Sequence, residues 1–221
     1  MLRNRLFLLL LCLLPFLAAA QEDRFEEEIR DFEEDDSQSG YKSDFILLTG
    51  SSSIRLWHSL EKDLKGFDVL NRGFGGSTLY ELDQYWGRIA GDHQPELVIV
   101  YCGENDIADG ATVTETVDRF KTFLDSFSKT YPSTPMIYIA MKPSISRWNL
   151  WPKYQEADRQ IREVIATQEN VTFIDLGASM LLRDGTLKQN IFIEDGLHMN
   201  KKGYRGWRKL LRPAIKNALD N

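Results

Sequence analysis

From residue 44 onward the chain alternates between short apolar runs and longer helical patterns. Five runs stand out: "FILLTG" at 45–50, "FDVLNRG" at 67–73, "ELVIVYCG" at 96–103, "PMIYIAM" at 135–141 and "VTFIDLG" at 171–177. Each is short, bounded by turn residues and apolar on both faces, the pattern of strands buried in a parallel sheet. Between them, Val113, Val117, Phe120, Leu124 and Phe127 recur at helical spacing over 112–130, with Thr112 or Thr114 as the cap. Ala157, Ile161, Val164 and Ile165 mark a helix over 153–168. Trp207, Leu210, Leu211 and Ile215 form the inner stripe of a last helix after Asn200. This alternation predicts an α/β, doubly wound domain with a central five-stranded parallel sheet. Ligands in such folds bind beyond the carboxyl ends of the strands.

The start of the chain breaks the pattern. "MLRNRLFLLLLCLLPFLAAA" has two arginines, an apolar core and a small-residue end. It is read as a signal peptide over 1–20, with cleavage after Ala20 and export to the periplasm or beyond. Its apolar core is shorter than the ~20 residues of a membrane span, so no stable span is expected after cleavage. Residues 21–43 form an acidic linker in which Phe25, Ile29 and Phe32 share one helical face. They predict a short amphipathic helix docked on the domain at 44–221, ending near "SQSG".

Composition narrows the function. The net charge is -6, and loss of Arg3 and Arg5 with the signal would take it to -8. Such a chain has no basic stripe for a nucleic acid. Cys102 would remain alone after cleavage, which removes an internal disulfide. It lies at the end of an apolar run, as a small buried residue does. Histidine and cysteine are not spaced for a metal, and no metal or other cofactor is expected.

Polar groups collect where the strands end. Gly50-Ser51-Ser52-Ser53 follows the first run and Asn71-Arg72-Gly73-Phe74-Gly75-Gly76-Ser77 the second. Gly103-Glu104-Asn105-Asp106 follows the third. Lys142-Pro143-Ser144 and Arg147-Trp148 follow the fourth. Asp195-Gly196-Leu197-His198 precedes the last helix. A nucleophilic serine needs a base beside it. His93 precedes the third strand, on the wrong edge. His58 lies six residues past Ser52 on what reads as the same helix, facing elsewhere. His198 is on the correct edge, with Asp195 placed to orient its ring. A serine N–H at a helix start, an N–H of the glycine-rich loop and the Asn105 amide would supply the fixed donors that a developing oxyanion needs. "GFGGS" is not a dinucleotide fingerprint, because Thr78 stands at its last glycine position.

In this order the blocks resemble the SGNH hydrolase superfamily, the GDSL-type esterases and lipases, from about Asp44 to the C-terminus. The resemblance implies a flavodoxin-like three-layer sandwich and a serine esterase. It places the nucleophile at Ser52, aligned through Gly50 and Trp57, the oxyanion donors at Ser52, Gly76 and Asn105, and Asp195 and His198 as orienter and base. The sequence departs at Ser51, where the family carries aspartate. Asp106 is the carboxylate expected to compensate. The implied substrate is a small-molecule or glycan ester, of short acyl or acetyl groups, with Arg147 and Trp148 as candidate contacts. A lysophospholipase-like esterase and a catalytically silent binding domain are the alternatives.

Overall fold

The computed structural model describes residues 24–220; the expected signal peptide lies outside them. Five strands form one sheet: β1 (Ile46–Gly50), β2 (Val69–Gly73), β3 (Leu97–Tyr101), β4 (Met136–Ile139) and β5 (Val171–Ile174). All pairs are parallel, in the order β2-β1-β3-β4-β5. The order reverses at β1/β3, the crevice where doubly wound sheets bind ligands. In register, Gly50 lies between Gly73 and Tyr101, so the first three strands end at one level.

The helices flank the sheet in two layers. One layer holds α1 (Glu26–Ser39), α4 (Leu79–Ala90), α6 (Val113–Thr130) and α7 (Trp151–Ile165). Leu47, Val98, Val100 and Tyr138 project into it and meet Ile29, Trp86, Phe120 and Ile161. The other layer holds α2 (Ser52–Arg55), α3 (Leu60–Asp63) and α8 (Lys201–Leu219). Ile46, Leu48, Ile99 and Tyr101 face it and meet Ile54, Trp57, Trp207 and Leu211. Alternate residues of a strand enter opposite cores, which is why the runs read as apolar throughout. The result is the three-layer α/β sandwich expected. The short α5 (Glu104–Ala108) follows β3 directly.

Three details differ from the sequence reading, and one alternative is decided. The helix α4 was not among those expected, although Thr78 and Glu81 form a capping box at its start. Strand β4 ends two residues before the apolar run does: Ala140 and Met141 are buried beyond it, because the loops that carry the polar groups are themselves packed. Helix α2 stops at Arg55, so exposed His58 lies in the following turn and not on the helix of Ser52. Thr112, not Thr114, caps α6.

Gly50 illustrates how tightly the strand ends pack. Its φ is +112°, and a Cβ there would stand 2.1 Å from the Tyr101 carbonyl oxygen. Only glycine adopts that conformation at that separation. The close approach lets the Ser51 N–H donate to Tyr101 O at 2.8 Å and the Phe74 N–H to Gly50 O at 2.9 Å. The chain after β1 is thereby tied to the ends of both neighbouring strands.

Candidate active site

The three serines after Gly50 have different surroundings. Ser51 is fully buried, and its hydroxyl accepts from Asn105 Nδ2 at 2.8 Å. Ser53 is 1% exposed, and its hydroxyl has no partner among the described residues. Ser52 alone is partly open to solvent. It opens α2, where first-turn N–H groups have no partner inside a helix. Its Oγ lies 2.9 Å from His198 Nε2.

His198 sits in a loop closed on itself. Phe192 bridges Met199, and the Ile193 N–H donates to His198 O at 2.9 Å. Gly196 O accepts from the Ile145 and Ser146 N–H groups at 2.8 and 3.1 Å, which ties this loop to the segment after β4. Asn200 caps α8 and donates to Asn190 O and Phe192 O, setting where the loop rejoins the body. Asp195 Oδ1 accepts from the Leu197 and His198 N–H groups at 2.8 and 2.9 Å. Its Oδ2 stands 2.6 Å from His198 Nδ1. A carboxylate only accepts, so Nδ1 carries the ring proton and Nε2 is left to accept from Ser52. Partial burial pushes the Asp195 carboxyl up, but those two N–H groups and the imidazole outweigh it, and its pKa lies below the ordinary aspartate value. A depressed carboxylate pKa stabilises the fold above its unfolded value, about 3.9, and that contribution is lost as pH falls through the folded value. The orienting charge therefore persists through mildly acid conditions.

The glycine-rich loop follows β2 and runs beside α2. Gly76 has φ +84°, a left-handed turn with open space where a side chain would stand. Asn71 joins this loop to α2: its Nδ2 donates to Ile54 O at 2.8 Å and its Oδ1 accepts from the Gly73 N–H at 2.9 Å.

Asn105, on α5, is 5% exposed. Arg147 donates to its Oδ1 at 2.8 Å, which fixes the amide so that Nδ2 faces the serines. Nδ2 donates to Ser51 Oγ and, at 2.9 Å, to Ser77 O. Both amide hydrogens are thus engaged within the protein. Behind Asn105 lies a buried charged group. Lys142 Nζ is 3.2 Å from both oxygens of Glu104, and the Tyr101 hydroxyl also donates to Glu104. Arg147 stands 3.6 Å from the same carboxylate. Burial lowers the Lys142 pKa, while Glu104 acts in the opposite direction.

One expected role changes, and one candidate contact is already engaged within the protein. Asp106 does not brace the turn at Ser51. Its Oδ2 accepts from the Leu79 N–H at 2.9 Å and its Oδ1 from Arg119 at 2.8 Å, so it anchors the start of α4; Asn105 is the residue that touches Ser51. Arg147, expected as a substrate contact, spends its guanidinium on Asn105 and Glu104. Trp148 is 42% exposed and stacks on Trp151, ring centroids 6.5 Å apart. Two apolar residues that the sequence reading did not single out, Ile145 and Ile193, are exposed beside the His198 loop. His93 is buried far from this edge: the Lys42 N–H donates to its Nδ1, and its Nε2 faces Asp36 at 3.0 Å. Burial holds the Cys102 thiol well above its ordinary value. Among the described residues, no cluster of three or more His, Cys, Asp or Glu is arranged to hold a metal ion.

The fold has counterparts in known proteins. The model of the GDSL-like lipase/acylhydrolase family matches residues 37–205. Among solved structures, a protein from Streptococcus pneumonia superposes with a TM-score of 0.78 at 20% identity, over 91% of this chain and 97% of that one. A GDSL-like lipase from Bacteroides thetaiotaomicron VPI-5482 gives 0.63 at 18% identity, over 90% and 99%. A family 3 carbohydrate esterase from Clostridium thermocellum gives 0.61 at 15% identity, over 80% and 96%. At these identities the superpositions show a shared fold. No curated protein matches the sequence. The family model spans the strands, the serine turn, the glycine-rich loop and the Asp195–His198 loop, and on that match the chain belongs to the GDSL-like lipase/acylhydrolase family of SGNH hydrolases.

Proposed function

We propose that the protein is an exported serine esterase that cleaves short-chain acyl or acetyl esters through an acyl-enzyme on Ser52. The observation that carries this reading is the continuous contact from Ser52 Oγ to His198 Nε2 and from His198 Nδ1 to Asp195. As Ser52 Oγ attacks the ester carbonyl carbon, its proton passes to His198 Nε2. The tetrahedral intermediate collapses with that proton delivered to the leaving oxygen, and the alcohol departs. Water then attacks the acyl carbon, giving one proton to His198. Collapse returns that proton to Ser52 Oγ and releases the acid. Asp195 stabilises the imidazolium in both halves without taking the proton.

The oxyanion is held by the N–H groups of Ser52 and Gly76, with Asn105 as the third donor. To serve, Asn105 shares with the substrate the hydrogen it now gives to Ser51 Oγ, while Arg147 keeps the amide oriented. Ser51 thus parks the amide beside the nucleophile. The rim formed by Ile145, Ile193 and Trp148 suits an acyl group or the face of a sugar. The carbohydrate esterases that share the fold support acetylated glycans as substrates.

An acyl series of p-nitrophenyl esters, run beside acetylated xylan, tests the substrate class. The expected result is the highest kcat/KM on the acetyl ester, falling as the chain lengthens. A maximum on long acyl chains would favour the lysophospholipase-like reading instead.

A further inference from the structure

The glycine-rich loop carries one of the proposed oxyanion donors. Gly73, Gly75 and Gly76 give its backbone more freedom than other residues would. An oxyanion donor must nevertheless be fixed before the reaction, or the gain is lost to reorganisation. Behind the loop lies a cleft of about 580 Å³, lined among others by Arg24, Glu28, Phe32, Arg55 and Gly73. Phe74 of the loop is fully buried, whereas Gly76 has open space where a side chain would stand.

Helix α1 and the residue pair before it do make contact there. The Glu28 carboxylate pairs with Arg55 Nε at 2.7 Å, and the Arg55 guanidinium packs on Gly75, where a Cβ would stand 2.9 Å from Nη1. Arg55 is the last residue of α2, whose first residue is Ser52. Arg24 donates to Gly76 O at 3.2 Å and is itself held by Glu81 at 2.6 and 2.7 Å. Phe25 packs edge-on against Phe74, centroids 5.0 Å apart. The Arg55 contact falls on Gly75 and the Arg24 bond on Gly76 O. The peptide unit joining the two residues carries the Gly76 N–H.

We propose that the N-terminal segment is a positioning element of the active site: Glu28, through Arg55, holds Gly75, Arg24 holds Gly76 O, and together they aim the Gly76 N–H at the oxyanion. The inference rests on the esterase reading above and adds to it the residues that preorganise one donor. It also assigns the acidic helix a part in turnover beyond covering the core. Glu28 does this while paired to the helix of the nucleophile, so the loop and Ser52 are referenced to the same point.

Arg88 supplies the control. It binds α1 more extensively than either residue, through Glu26 at 2.6 Å and Glu33 at 2.7 Å, but no contact joins it to the loop among the described residues. The experiment measures kcat, KM and Tm on p-nitrophenyl acetate for Glu28→Ala, Glu28→Gln, Arg24→Ala and Arg88→Ala, with Ser52→Ala alongside. A misaimed donor costs part of the 10²- to 10³-fold worth of a complete one. Glu28→Ala and Arg24→Ala should therefore each lower kcat about tenfold with KM within about twofold. Glu28→Gln keeps an acceptor for the Arg55 Nε–H and should recover most of the loss. Arg88→Ala should lower Tm and leave kcat within about twofold. A kcat unchanged in both Glu28→Ala and Arg24→Ala overturns the proposal, as does a loss that tracks Tm across all variants, Arg88→Ala included. If Ser52→Ala stays active, the esterase reading itself fails, and the positioning role with it. If Ser52→Ala is inactive while the loop variants are silent, only the positioning role fails.

Discussion

Ser52→Ala is expected to abolish ester turnover while Ser53→Ala leaves it nearly intact. The two hydroxyls are one residue apart, yet they differ in every relevant respect. Ser52 Oγ reaches His198 Nε2 at 2.9 Å and meets solvent; Ser53 Oγ is buried with no partner among the described residues. Removing the nucleophile of a Ser-His-Asp set costs on the order of 10⁴-fold or more in kcat. Removing the Ser53 hydroxyl breaks no bond, so kcat should stay within about threefold and stability within about 0.5 kcal/mol. Steady-state kinetics with matched circular dichroism spectra separate the cases. Equal losses from both substitutions would mean that the turn, not one hydroxyl, carries the effect.

The second large effect is at the base. His198→Ala should lower kcat by about as much as Ser52→Ala, and the double variant should be no slower than either single one, because residues acting as a unit are not additive. Asp195→Ala should cost less than His198→Ala. The imidazole then loses its orienting carboxylate, but the loop keeps its bridge between Phe192 and Met199 and its tie from Gly196 O to Ile145. Single-turnover rates measure the order directly. Additive losses in the double variant would indicate that Ser52 and His198 serve separate steps.

The parts of the molecule that were legible beforehand share a physical cause. Buried parallel strands are apolar on both faces, so all five announced themselves, and the crevice rule then placed the polar blocks on one edge. Asp195 and His198 are three residues apart, close enough for their relation to show as a local pattern. What stayed hidden is carried by contacts distant in sequence. Arg24 meets Gly76 across 52 positions and Arg147 meets Asn105 across 42, and neither pairing leaves a periodic trace. Asp106 was misassigned for the same reason: a carboxylate next to Asn105 in the chain points to α4 instead, because consecutive residues on the short α5 face different ways. The helix α4 was different, since its capping box was present in the sequence and simply outweighed by the glycine-rich turn before it.

The central claim is that Ser52 is an activated nucleophile, and covalent labelling tests it without a substrate having to be known. The purified protein, treated with a fluorophosphonate, should gain one adduct, and peptide mass mapping should place it on Ser52. His198→Ala should label far more slowly, and Ser52→Ala not at all. An unlabelled wild-type protein, or an adduct on another serine, would contradict the account.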